Sequence, residues 1–399
     1  MDIFLQILFW LSLAGVAHTY LLYPLIIKYL SNKKGKKINA SVDSNDQPSI
    51  YILMAVYNEE QVIRQKIESI FATDYPLEKI WVLIGSDNSN DQTNAIIENY
   101  QQQYPQLLYR NFSGRNGKIR IINQLFERHR ALIFQSSQPE PIAVLTDANV
   151  FFTPEMLPVL AGYFQNPAIG LVGANVLNIN VKDIGISFQE QFYVQRENVI
   201  KHYESQAFGA MMGAFGACYA IRAKLFSPVP DNFIVDDFFQ TMQVINRNFQ
   251  SVKALEAICY EDVSEDMMEE YRRKKRISAG NFQNLNHFKH LLFRWNGVSF
   301  AFWSHKVLRW LSPFFIIIAF ISSFLLMPDY LFYRIALGGQ IFLFTLPFLD
   351  RLLDWLFQKQ IKILRFITYF YLMNIALLIG FFNYMKGINS NIWRPTKRN

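Results

Sequence analysis

Apolar positions crowd the two ends of this chain and thin out between them. From Ile3 to Ile27 the strongly polar side chains are Gln6 and His18. Wound as one helix, that run crosses a hydrocarbon core of roughly 30 Å. No basic residue precedes it and no small-residue cleavage site follows, so the pattern predicts a retained anchor over residues 1–30 rather than a removed leader. Three more apolar runs, Leu311 to Met327, Leu331 to Leu349 with Arg334 inside it, and Phe366 to Met385, predict about three spans over 311–385. Pro328 and Asp329 make a tight hairpin of the first two. Residues 286–310 mix Trp, Phe and basic side chains and read as an interfacial amphipathic segment, and a basic tail covers 386–399.

Between the ends the period changes. A basic and polar linker over 31–48 leads into residues 49–285, where short β-type runs stop abruptly in polar tails. "IYILMAVYNEE" is the first such run. Apolar positions Val62, Ile63, Ile67 and Ile70 then keep a helical spacing up to the turn "TDYP", and "KIWVLIGSDNSND" repeats the cycle. Further strands are expected at Leu107 to Asn111, Ile142 to Thr146 and Ile169 to Ala174. The alternation predicts an α/β domain with a mainly parallel sheet covered by helices on both faces, plus transmembrane helices at both ends of the chain. Ligands of such sheets bind at the carboxyl ends of strands.

Composition agrees with a membrane protein: 51% of residues are hydrophobic, with 36 Phe and 20 Tyr, against 18% charged. The formal charge of +7 raises nucleic acid as a partner, but no zinc or helix-turn-helix signature accompanies it. Lys33, Lys34, Lys36 and Lys37 stand directly behind the first span, where a basic cluster sets orientation and meets anionic lipid headgroups. The expectation is therefore a multi-pass protein of the cell (inner) membrane with a cytoplasmic central domain, membrane lipids as partners and no nucleic acid. Four spans would put both termini outside, against the preference of Lys386, Arg394, Lys397 and Arg398 for the inside. Cys218 and Cys259 make neither a disulfide framework nor a zinc set.

Three polar tails carry candidate chemistry: "VYNEE", "SDNSND" and "TDANV" set Glu59, Asp87, Asp147 and Asn149 just beyond strands. Such residues also make ordinary turns and helix caps. Oxygen ligands two residues apart, Asp147 and Asn149, suit one hard divalent cation that shares a diphosphate, and Asp87 suits a base N–H or a ribose hydroxyl. Arg115 and Lys118 follow a Gly-containing loop and open a helix, a place for anionic phosphate. In "DNFIVDDF", Asp236 and Asp237 repel each other, which in a cleft raises the proton affinity of one, as a general base needs; the alternative is a helix N-terminus favoured by acidic residues. "YRRKKRISAGN" is either a membrane-surface patch or a diphosphate clamp.

"VYNEE", "SDNSNDQT", "GRNGK", "TDANV", "GACYAIR", "VDDF" and "RRKKRISAGN" occur in the order and at the intervals of the inverting family 2 glycosyltransferases of bacterial membranes. The chain resembles that family over nearly its whole length, including "SHKVLRWLSP" at the entry to the first C-terminal span. The resemblance implies a GT-A nucleotide-diphospho-sugar transferase domain, a nucleotide sugar donor, most often a UDP-sugar, and a lipid-linked or polysaccharide (glycan) acceptor. It implies Ala55, Tyr57 and Glu59 near the nucleotide, Asp87 on the base, and Arg115 and Lys118 near the ribose or diphosphate. It further implies Asp147 and Asn149 at a Mg or Mn ion and the diphosphate, Gly216 and Ala217 by the acceptor, and Asp237 as catalytic base with Asp236 beside it. Arg273 and Arg276 fall where the family closes over the diphosphate. Two positions depart from the pattern: Asn149 stands where the metal motif usually ends in Asp, and Ile277 in "RKKRI" replaces the Trp of chain-extending members. The alternatives are a processive polysaccharide synthase and a catalytically inactive membrane scaffold of the same fold.

Overall fold

Seven consecutive residues, Ile50–Val56, form a strand (β1) buried along its whole length, as a strand covered on both faces requires. Alternate side chains part to opposite sides with the period of two that strand geometry imposes. Ile50, Ile52, Met54 and Val56 join one apolar cluster with Ile63, Ile67 and Ile70, Ile97, and Leu157 and Leu160 of three helices. Tyr51, Leu53 and Ala55 join a second, with Ile121, Ile122 and Leu125 of the helix Lys118–Arg128.

The computed structural model describes residues 1–35, 38, 47–135, 139–179, 187–262 and 266–388. They fall into two compact units. One holds Leu30–Val181 and Val194–Val263 and carries the sheet; the other holds Met1–Tyr29, Lys182–Tyr193 and Ser264–Gly387. The remaining strands are β2 (Ile80–Ser86), β3 (Leu107–Asn111), β4 (Ile142–Thr146), β5 (Val150–Phe152), β6 (Ile169–Ile179), β7 (Cys218–Arg222) and β8 (Gln250–Asp262), in the order β3-β2-β1-β4-β7-β6-β8-β5. The first four run parallel, β7 is antiparallel to both β4 and β6, and β5 is antiparallel to β8. The sheet is therefore more mixed than the alternating pattern suggests. Because β7 is reversed, Thr146 at the end of β4 pairs with Cys218 at the start of β7, and the residues entering β7 lie at the edge where the parallel strands end.

The other unit is helical. Asp2–Lys33, Gly297–Leu326, Leu331–Phe357 and Lys362–Met385 are each long and apolar enough to cross a membrane. Two of them contain a π-helical stretch, His18–Leu22 and Phe302–Val307. Because the second of these continues into Leu308–Leu326, residues 310 and 311 mark no element boundary, and the interfacial segment read over 286–310 runs into the span from Gly297 onward. Arg334 sits at the start of its span and closes the hairpin, donating to Met327 O at 2.7 Å and to Pro328 O. The helix Met267–Phe288 packs on Lys362–Met385: Ser278 Oγ donates to Leu377 O at 3.1 Å, and a Cβ at Gly380 would stand 2.4 Å from that hydroxyl. This helix belongs to the helical unit. Residues 36, 37 and 39–46 of the linker, Lys36 and Lys37 among them, and the basic residues Arg394, Lys397 and Arg398 lie outside the described residues.

Inside the sheet unit, buried Arg222 ties the end of β7 to the turn before β6. It donates from Nε to Ile169 O at 2.7 Å and from Nη2 to Phe164 O and Asn166 O at 2.6 and 2.9 Å, and it pairs with Glu140 at 3.1 Å. Arg222→Met strips all three carbonyls of this donor and is expected to cost about 3 kcal/mol or more. The thermal midpoint of the detergent-solubilised chain reads it; a loss below about 1 kcal/mol contradicts the clamp.

Candidate active site

β1 and β2 end level with each other, Val56 beside Ser86, so their polar tails begin together. Asn58 and Asn88 turn the chain with φ of 53° and 63°, a conformation that asparagine tolerates better than most residues. The tails then interlock: Asn58 N–H donates to Ser89 Oγ at 3.1 Å, Asn90 N–H to Asn58 Oδ1 at 3.0 Å, and Glu59 N–H to Thr93 Oγ1 at 2.8 Å. Asp87, with no exposed surface, accepts from Asn116 N–H at 2.5 Å on Oδ1 and from Arg115 Nε and Gly117 N–H at 3.1 Å each on Oδ2. Both oxygens thus hold the loop Arg115–Gly117. The guanidinium that Asp87 fixes lies 3.3 Å from the centroid of the Tyr57 ring, a cation–π contact. Ala55 and Glu59, either side of Tyr57, are nearly buried.

Gly117, at φ 85°, turns this loop into the helix that Lys118 opens. Lys118 Nζ meets Asp147 Oδ1 at 2.6 Å and Gly216 O at 3.5 Å. Asp147 N–H donates to Ala217 O at 3.1 Å, and Val150 N–H to Asp147 O at 3.3 Å, closing the turn that carries Asn149. Asp237 comes close at Gly216: a Cβ there would stand 2.9 Å from Asp237 Oδ2. The four segments that carry Lys118, Asp147, Gly216–Ala217 and Asp237 thus converge.

Asp236 and Asp237 open the helix Asp236–Asn246, and Phe238 N–H donates to Asp237 Oδ1 at 2.7 Å. The helix N-terminus and the reactive carboxylate are therefore compatible readings: one oxygen takes the amide while the other faces Gly216. Burial, followed by the charge of Asp236, pushes Asp237 up to about 6, against the pull of Phe238 N–H, Lys118 and Lys201. Phe238 and Phe239 behind the pair are buried, and Phe233 and Ile234 are partly so. For Lys118, burial opposes the charge, but Asp147, Asp236 and Asp237 outweigh it and push the ammonium above its usual range.

A divalent cation fits the hard oxygens of Asp147 and Asn149. Asp147 already aims an oxygen at a cation, the Lys118 ammonium, and Asn149 Nδ2 is directed to Glu261 Oε1 at 3.3 Å, which engages the donor end of the amide. Among the described residues no group of three or more His, Cys, Asp or Glu is arranged to hold a metal, so diphosphate oxygens and water have to complete the shell. Arg273 and Arg276 lie on the helix Met267–Phe288 with exposed side chains, Arg273 3.5 Å from Glu270. Sequence reasoning missed Lys66, Thr146 and Asn116. Lys66 had a signal, since it stands at helical spacing from Ile63 and Ile70 on the face that points into the core.

The family "Glycosyl transferase family 2" matches residues 51–228, and "Glycosyl transferase family group 2" matches residues 142–384. Among curated proteins, beta-monoglucosyldiacylglycerol synthase of Synechocystis sp. is 27% identical over 38% of this chain and 32% of its own length. The probable glycosyltransferase YdaM of Bacillus subtilis is 22% identical over 59% of this chain and 55% of its own. The chain thus spans about a third to about half of these relatives. The mannosyltransferase PcManGT from Pyrobaculum calidifontis, solved with GDP-Man and Mn2+, shares the fold at a TM-score of 0.65 and 18% identity, over 95% of this chain and 99% of that one. The sheet unit is accordingly of the GT-A type, and with residues 142–384 of its 399 matched, the chain belongs to glycosyl transferase family group 2.

Proposed function

We propose that this protein is a membrane-bound glycosyltransferase that moves a sugar from a nucleoside diphosphate donor, a UDP-sugar by family resemblance, to a lipid hydroxyl with inversion, in a single transfer per encounter. The observation that carries the reading is Asp237 facing Gly216 beside the Lys118–Asp147 pair. The lipid acceptor is supported by the four apolar helices and by the name of the Synechocystis relative. The sheet unit is assigned to the cytoplasmic side of the cell membrane.

In this mechanism Asp237 accepts the proton of the acceptor hydroxyl as its oxygen attacks the anomeric carbon. The bond from that carbon to the diphosphate breaks on the opposite face, and the nucleoside diphosphate leaves with the electron pair. Burial, followed by the charge of Asp236, keeps the proton affinity of Asp237 high enough for the task. Lys118, held cationic by three carboxylates, supplies positive charge near the diphosphate. Arg115 on the Tyr57 ring borders the nucleotide, and Asp87 fixes it there. Arg273 and Arg276 are assigned to the diphosphate on the order of the motifs alone. A magnesium or manganese ion held by Asp147 and Asn149 would offset charge on the leaving diphosphate.

Release of nucleoside diphosphate from a panel of nucleotide sugars, with diacylglycerol as acceptor, tests the activity; no release from any donor supports an inactive scaffold instead. EDTA is expected to stop turnover, with Mn2+ or Mg2+ restoring it, and full activity in EDTA removes the ion from the mechanism. Asp237→Asn should lose about 10²- to 10⁴-fold in turnover with donor affinity nearly unchanged. Because a base works deprotonated, wild-type turnover should fall as pH drops through about 6. Wild-type turnover in the variant, or no acidic limb, reduces Asp237 to its helix-capping role. Gly216→Ala introduces a methyl 2.9 Å from the carboxylate and should cut turnover at least about tenfold without lowering the thermal midpoint to match; unchanged turnover shows that the close approach is dispensable.

A further inference from the structure

Lys66 lies outside every motif of the proposed site, yet it is among the most enclosed side chains in the sheet unit. The helix Ile63–Phe71 turns Ile63, Ile67, Ile70 and Phe71 into the core, and on the same face, with no exposed surface, it buries a lysine. Taking an amine out of water is costly unless its donors are met. Here they are met by the two ends of one turn: Nζ donates to Thr146 Oγ1 at 3.0 Å and to Val150 O at 2.5 Å. The same nitrogen stands 3.5 Å from the centroid of the Phe152 ring. Burial pushes the group down to about 7, but the bonds do not need the charge, since a neutral amine keeps two N–H donors for two acceptors.

The two acceptors bracket Asp147, Ala148 and Asn149. Thr146, while accepting from Lys66, donates its own hydroxyl proton to Ala217 O at 3.0 Å, and Asp147 N–H reaches the same carbonyl at 3.1 Å. The relay Lys66–Thr146–Ala217 therefore joins the turn that presents Asp147 and Asn149 to the segment that carries Gly216. In an apolar core, a methionine at 66 would fill the volume and leave Thr146 and Val150 without this donor.

We propose that Lys66 is a positioning residue for the donor site: from beneath the sheet edge it fixes the Asp147–Asn149 turn in the geometry in which those oxygens receive a divalent cation and the donor diphosphate. The inference rests on the metal-assisted reading of the site. Outer partners that orient metal ligands typically govern affinity by 10- to 100-fold, and Lys66 acts on the ligands through their backbone.

The test is Mn2+ binding to the full detergent-solubilised chain, followed by electron paramagnetic resonance with Mn2+ alone and with Mn2+ plus UDP, for wild type, Lys66→Met, Thr146→Val and Asp147→Ala. Lys66→Met and Thr146→Val are each expected to weaken Mn2+ binding about tenfold and to raise the Mn2+ concentration for half-maximal turnover by the same factor, with a smaller change in kcat at saturating Mn2+. A role confined to core stability would lower the thermal midpoint and leave the Mn2+ affinity of the folded protein where it was. Wild-type Mn2+ affinity in Lys66→Met, with Asp147→Ala impaired, overturns the positioning role alone. Wild-type affinity in all three variants overturns the metal reading along with it. Should Lys66→Met fail to fold, Thr146→Val removes the same hydrogen bond from its other end, and wild-type affinity there is equally decisive.

Discussion

The 2.6 Å pair between Lys118 and Asp147 joins segments far apart in the chain, and the geometry of the site depends on it. Lys118 is where the loop held by Asp87 becomes a helix, Asp147 is where β4 ends, and Gly216 O is within 3.5 Å of the same ammonium. The side chains keep 22% and 37% of their surface, so as a contribution to stability the pair is worth little, about 0–1 kcal/mol for exposed ion pairs in general. Its importance is positional. It sets a fixed positive charge between the turn that suits a cation and the glycine that admits Asp237, and the carboxylates around it keep that charge in place over the whole working pH range.

The fold manages its buried charge in two ways. At the sheet edge, Asp147, Asp236 and Asp237 surround one ammonium, and burial, followed by the charge of Asp236, outweighs its pull and leaves Asp237 with a raised proton affinity and hence with something to do chemically. In the helical unit these ions are paired with opposite charge or a hydroxyl: Lys274 meets Glu190 at 2.9 Å and Glu270 at 3.1 Å, and Arg365 reaches Asp354 at 3.1 Å while Thr368 donates to Asp350 at 2.8 Å. Ionisable groups in an apolar helical environment are kept only when paired in this manner. The first arrangement is suited to turnover and the second to holding helices together.

Much of the architecture was legible in the residues. β1, β2 and β4 announced themselves because a strand buried on both faces is a short unbroken apolar run and its end is a polar tail. The tails carried the site for the same reason, since parallel strands gather their carboxyl ends. What the pattern concealed was direction. β7 is as apolar as a parallel strand, and nothing in "CYAIR" shows that it runs backwards; yet that reversal delivers Gly216 and Ala217 to the edge. "VFF" was too short to stand out as β5. Asp87 was legible as a functional carboxylate but not as the anchor of Arg115, because three donors converge on it from a loop whose shape no periodicity encodes. Lys66 was visible as a polar residue on an apolar helix face, although its partners lie about eighty residues on.

The central claim is a single displacement with Asp237 as base, and the configuration of the product reports on it most directly. With the donor selected from the nucleotide-sugar panel, whose sugar is α-linked to the diphosphate, the proton coupling at the anomeric carbon of the purified product distinguishes the two outcomes. A single displacement predicts a β-linked product from the wild-type chain. An α-linked product would mean that the acceptor ends on the face the diphosphate left, which a lone base beside Gly216 cannot bring about in a single displacement, and the assignment of Asp237 would fall.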